Sequence, residues 1–132
     1  IAADARKFSY APYSHFAVGA ALLGADAKIY TGCNIENAAF TPGNCAERTA
    51  IFKAVSEGCR EFSAIAIVGG KLDEDALAQT GYTAPCGVCR QVLREFVNPS
   101  AFAVILARTI EAYKVYTLEE LLPESFGPEN LK

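Results

Sequence analysis

With 132 residues the chain is long enough for a single domain spanning 1–132 with a core of its own, and it is not a mini-protein that needs staples. A net charge of −3, with no cluster of more than two Lys or Arg, excludes long duplex nucleic acid as a partner, and no apolar run reaches the roughly 18 residues of a membrane helix. Five cysteines, an odd number, exclude a closed disulfide framework, and the high apolar share reads as extra surface buried between identical subunits.

The sequence opens at Ile1 without a Met and shows no charged-then-apolar signal segment. A few residues are expected to be missing, and a reducing cytoplasm is the expected setting. A short helical opening leads through RKFSYAPYSHF to an aromatic turn. FAVGAALLG (Phe16 to Gly24) and KIYTGCNIE (Lys28 to Glu36) read as two strands joined by a turn at Gly24 to Ala27. AAFTPGN is a loop, with Asn44 as the expected N-cap of a helix from Cys45 to Glu57 and Gly58 after its end. FSAIAIVGG (Phe62 to Gly70) reads as a central strand buried on both faces. KLDEDALAQTGYTA is a polar surface excursion. Pro85 opens a second helix with Cys89, Val92, Leu93 and Phe96 on one face, stopped by Asn98-Pro99. AFAVILA is another buried strand, AYKVYT a shorter one and LEELL a last helical turn. This order, β-β-α-β-α-β-β-α, predicts an α/β domain with helices packed on a mixed sheet.

Chemistry gathers at two places, NCAERTA (Asn44 to Ala50) and PCGVCR (Pro85 to Arg90). Residues three apart on a helix are neighbours, so Cys86 and Cys89 share a face, and a helix N-terminus favours their thiolates. A CxxC alone fits a redox disulfide, half of a structural zinc site or two thirds of a catalytic one. Cys45 decides for the last if it lies close to the pair. No second CxxC exists, and the only histidine, His15, lies in the aromatic turn, so three sulfurs leave an open coordination position for water. Glu47, in the first turn beside Cys45, reaches past the helix end and is placed to move a proton there. Arg48 balances the charge of three thiolates around a divalent ion. Taken singly, Glu47 is as well explained by the helix dipole and Arg48 by the surface. Cys33 and Cys59 lack partner motifs and read as small buried hydrophobes.

In combination these residues resemble the zinc nucleoside deaminase family, and within it the small homotetrameric cytidine deaminases of pyrimidine salvage. The likeness runs through YAPYSHFAVGAALL, GCNIENAAF, NCAERTA, PCGVCRQVL and LLPESF, which is most of the chain. It implies a three-layer α/β/α fold on a mixed five-stranded sheet, one Zn²⁺ per chain on Cys45, Cys86 and Cys89, and hydrolysis of cytidine and 2′-deoxycytidine to uridine and 2′-deoxyuridine plus ammonia. It makes Glu47 the proton shuttle and Arg48 a donor to the zinc-bound sulfurs. Asn34 and Glu36 are expected to bind the ribose; as strand residues two apart they share a face while Ile35 points into the core. Phe16 is expected to pack on the pyrimidine ring, and Phe126 to reach the neighbouring subunit's site.

Two departures stand out: the segment before Pro85 is longer than in compact relatives, and His15 stands where a basic residue is common. The runner-up activity is a blasticidin-type nucleoside deaminase, against which CNIEN speaks because a free ribose has to be recognised. A polynucleotide substrate lacks the basic, aromatic-interleaved stripe that would hold a strand. A non-catalytic zinc module, closed by a fourth protein ligand, would have no need of Glu47.

Overall fold

The computed structural model describes residues 1–73 and 81–132. Helix α1 (Ala2–Ala5) runs into a 3-10 turn (Arg6–Phe8). Strands β1 (Phe16–Gly24) and β2 (Ile29–Cys33) form a hairpin whose turn places Ala27 at φ 67°. Then come α2 (Ala46–Ser56), β3 (Phe62–Lys71), α3 (Gly87–Phe96), β4 (Ala103–Ala107), β5 (Tyr113–Thr117), α4 (Leu118–Leu121) and a 3-10 turn (Pro128–Asn130). The sheet order is β2-β1-β3-β4-β5, with β3 and β4 parallel and every other neighbour antiparallel. The mixed five-stranded α/β architecture is therefore as expected. The parallel pair needs a crossover, which α3 supplies.

One face of this sheet carries the core. Ala20 and Leu22 of β1 stand in register with Ile67 and Ile65 of β3, which stand beside Leu106 and Val104 of β4. They pack on Ala50, Ile51 and Ala54 of α2 and Leu93 of α3, most of them fully buried. Each large aliphatic side chain taken from water in this way contributes about 1.5–3 kcal/mol. Gly32 of β2 sits opposite Ala20, and a Cβ there would run into the backbone of Ala46 and Ala50, so α2 lies hard against the sheet. Gly19 points to the other face, where a Cβ would collide with the carbonyl of Ala2. Helices thus lie on both sides, in three layers.

The second face is only partly covered. β3 was expected to be buried on both sides, but Ala64 and Ala66 are half-exposed; β4 likewise alternates, with Ala103, Ile105 and Ala107 half-exposed. The cover is short: α1 has four residues, and its contacts fall on β1, β2 and β3. Half of the expected polar excursion, residues 74–80, lies outside the described residues.

Helix ends follow local chemistry. α2 closes in a Schellman motif, with Gly58 at φ 96°, its N–H on the Val55 carbonyl at 3.0 Å and the Cys59 N–H on the Ala54 carbonyl at 3.0 Å. α4 opens with a capping box in which Thr117 accepts from the Glu120 N–H and the Glu120 carboxylate accepts from the Thr117 N–H.

Candidate active site

The N-cap of α2 is Cys45, not Asn44 as expected. Asn44 is taken by a longer-range partner: its N–H and carbonyl both bond Ile35, at 2.9 Å each, in a two-way backbone bridge. Cys86 holds the same position on α3, where its sulfur accepts the Cys89 N–H at 3.4 Å. Two thiol-bearing residues therefore cap two helices whose N-termini converge, and both macrodipoles favour negative charge there. Cys89 joins from the first turn of α3, fully buried.

The sulfurs of Cys45, Cys86 and Cys89 all lie within 4.8 Å of one another. Cys45 and Cys86 are 3.9 Å apart and Cys86 and Cys89 3.4 Å. Tetrahedral zinc with Zn–S bonds of about 2.3 Å sets its sulfurs about 3.8 Å apart, and a disulfide sets them at about 2.05 Å. The spacing fits the metal, and three soft thiolates suit zinc. Among the described residues no fourth His, Cys, Asp or Glu atom joins the group.

Electrostatics divides the thiols. The Cys45 thiol is pulled down to about 5, first by hydrogen bonding to Cys89 and then by the Arg48 guanidinium, against the opposing effect of burial. Cys89 is pushed up by that same bond, by burial and by the nearby Glu47 charge. Arg48 donates from Nη2 to the Cys45 sulfur at 3.3 Å, while its Nε is buried without a hydrogen-bond partner. Glu47 is 4% exposed and its carboxyl is raised, chiefly by burial.

These groups floor a cavity of about 530 Å³, a size suited to a small ligand. Cys45, Glu47, Arg48 and Cys86 line it together with Asn34 and Glu36. β2 was expected to run to Glu36 but ends at Cys33, because Ile35 bridges Tyr10 on one side and Asn44 on the other. Ile35 is consequently 46% exposed and lines the cavity, not the core as expected.

The Asn34 amide accepts from the Val18 N–H at 2.9 Å and donates to the Phe16 carbonyl at 2.8 Å. Each amide atom keeps one further bond to offer. Glu36 accepts from the Tyr13 and Ser14 N–H groups at 3.0 and 3.1 Å and from the Ser14 hydroxyl, which hold its carboxyl below the usual range. Phe16 shares the face of Val18, a cavity residue, but itself stands outside the lining. Phe126 is exposed, and its carbonyl accepts from Gln91 at 2.9 Å.

Sequence reasoning missed Tyr13, Ser14, Phe40 and Thr83, all in the cavity wall. The signal for Phe40 was available: a seven-residue loop between Glu36 and Asn44 has both ends at the site, so its one aromatic cannot be far away.

A family model described as the cytidine and deoxycytidylate deaminase zinc-binding region matches residues 1–105. A cytidine deaminase of Sporosarcina psychrophila is 49% identical over 127 residues, covering 96% of this chain and 87% of that protein. One from Halalkalibacterium halodurans is 44% identical over 130 residues, covering 98% and 92%. The crystal structure of a cytidine deaminase from Burkholderia pseudomallei superposes with a TM-score of 0.83 at 46% identity, covering 95% of this chain and 93% of that one.

Proposed function

Because this chain belongs to the cytidine and deoxycytidylate deaminase family, we propose that its cavity takes a pyrimidine nucleoside with the base towards Glu47 and the ribose towards Asn34 and Glu36. The activity is zinc-dependent hydrolytic deamination of cytidine, which consumes water and yields uridine and ammonia. The observation that carries this reading is the meeting of three sulfurs from two helix starts beside a cavity that Cys45, Cys86 and Glu47 line.

Cys45, Cys86 and Cys89 would hold one zinc ion. When bound, the ion supplies Lewis acidity that makes a water nucleophile available at neutral pH. Glu47 moves the proton: in its dry setting it takes one from the attacking water, passes it to N3 of the ring and assists departure of the amino group from C4 as ammonia. A raised carboxyl suits both halves of that task, since its acid and base forms are closer in energy near neutrality. Arg48 donates to the Cys45 sulfur and offsets thiolate charge. Asn34 offers a donor and an acceptor, and Glu36 an acceptor, to the ribose hydroxyls. Phe16, one strand step beyond Val18, packs against the edge of the base.

The proposal extends to 2′-deoxycytidine as a second substrate and to a homotetramer in which Phe126 reaches a neighbour's cavity. Supporting the latter are apolar side chains left open on the single chain: Phe126 is 58% exposed and Phe40, on the cavity rim, 100%. Work in pyrimidine salvage in the cytoplasm accords with five unpaired thiols. No helix among the described residues is long and apolar enough to cross a membrane. The test is ammonia release from cytidine by purified protein, together with its zinc content and sedimentation. One zinc per chain with stoichiometric uridine and ammonia is the expected result; zinc-replete protein without turnover refutes the activity.

A further inference from the structure

Both peptide groups that flank Cys86 end on Arg90. The Arg90 Nε donates to the Pro85 carbonyl at 2.8 Å, and the Arg90 backbone N–H donates to the Cys86 carbonyl at 3.0 Å. A peptide group is planar, so fixing the carbonyl on each side of a residue fixes its φ and ψ, here −67° and 168°. The third connection leaves α3 altogether: Arg90 Nη1 donates to the Leu121 carbonyl at 2.6 Å. Leu121 is the last residue of α4, where carbonyls have no partner within the helix and a charged donor is favourable.

This matters because Cys86 has little else to hold it. It is exposed, unlike Cys89, which the core encloses, and Cys45, which Arg48 bonds. Its sulfur accepts the Cys89 N–H and otherwise meets only the other two thiols. We propose that Arg90 is a positioning residue for the metal centre: its guanidinium fork braces the Pro85-Cys86 peptide against the end of α4 and so holds the exposed thiol at ligand distance from Cys89. The inference rests on the zinc reading given above. The fork is what the task demands, since one planar head reaches the carbonyls of Pro85 and Leu121, which lie far apart in sequence, whereas an ammonium is a single point of contact.

Arg94 supplies the control. It lies one turn further along α3, is 6% exposed, and bonds Ser125 at 2.7 Å and Glu129, so it too fastens the C-terminal segment to α3. It touches neither cysteine nor Pro85. Arg90→Ala, Arg90→Lys and Arg94→Ala would each be prepared as the zinc-loaded full chain. Zinc transfer to a chromogenic chelator is then followed with time, and the sulfur-to-metal absorption of the Co²⁺-substituted forms recorded.

Arg90→Ala is expected to release zinc about ten- to a hundredfold faster than wild type, the usual scale for groups that orient a metal's ligands, and to shift the cobalt spectrum. Arg90→Lys should fall between the two. Arg94→Ala should lower the melting temperature and leave release and spectrum unchanged. Equal release from Arg90→Ala and wild type, or equal acceleration in Arg90→Ala and Arg94→Ala, overturns the inference. Should Arg90→Ala not fold, the same comparison is made with Arg90→Lys, and wild-type release there is likewise fatal. Wild type that holds no zinc would instead refute the metal centre itself, a separate outcome.

Discussion

Arg48 and Cys45 face each other across one turn at the start of α2, the guanidinium donating to the sulfur at 3.3 Å. That contact puts a permanent cation beside a thiol already pulled down to about 5. Replacing Arg48 with Ala leaves the thiolate charge uncompensated. Turnover is expected to fall about ten- to a hundredfold with the fold retained, and Arg48→Lys to recover part of it. Steady-state rates with parallel zinc analysis decide the point; unchanged turnover in Arg48→Ala would remove any role for the contact.

Glu47→Gln keeps the shape of a buried side chain and removes its ability to carry a proton. Rates should drop about 10²–10⁴-fold, the range for a positioned acid-base group, while zinc content stays at one per chain. Ammonia release measured on zinc-replete protein checks this, and near-normal turnover is the contrary result.

Gly32→Ala puts a methyl group into the backbone of α2, at Ala46 and Ala50. Neither neighbour is the end of a flexible side chain, so the helix must move away from the sheet. A cost of about 1–3 kcal/mol is expected, read as an early midpoint in urea. Because α2 carries Cys45 and Glu47, activity should fall more steeply than stability. An activity loss explained wholly by the unfolded fraction would contradict that.

Glu36 links acid pH to the cavity wall. Hydrogen bonds from the Ser14 hydroxyl, then from the Ser14 and Tyr13 N–H groups, hold its carboxyl below the ordinary 4.5. A carboxyl depressed on folding stabilises the native state above its unfolded pKa, and that contribution is lost as pH falls through the folded value. The side-chain carbon resonance of Glu36 should therefore titrate with a midpoint under 4.5, and Glu36→Gln should flatten the stability profile in that acid window. A midpoint at or above 4.5 means the loop does not hold the carboxylate in solution.

Local patterns were legible where local forces decide. The α2 and α3 helices, the glycine stop of α2 and the five strands follow from periodicity, turn chemistry and apolar runs. The grouping of Cys45 with Cys86 and Cys89 was legible because a lone CxxC leaves metal coordination incomplete. What stayed hidden depends on partners far apart in sequence. Asn44 has the side chain of a good N-cap, yet its backbone belongs to Ile35, which shifts the cap to Cys45. β2 has alternation enough to reach Glu36, but Tyr10 and Asn44 replace the sheet as partners after Cys33. Ala64 and Ala66 look like core residues in any window; the four-residue α1 covers the second face only in part, and they stay half-exposed.

The bridge between Ile35 and Asn44 has a consequence for how such a chain can diversify. It staples the two ends of the 37–43 excursion, so the length and character of that excursion can change at little entropic cost and without disturbing Cys45 next door. Phe40, in the middle of that excursion, lines the cavity, as do the pinned Ile35 and Asn44. Selection can thus redraw the entrance, and with it the range of molecules admitted, on an unchanged hydrolytic centre.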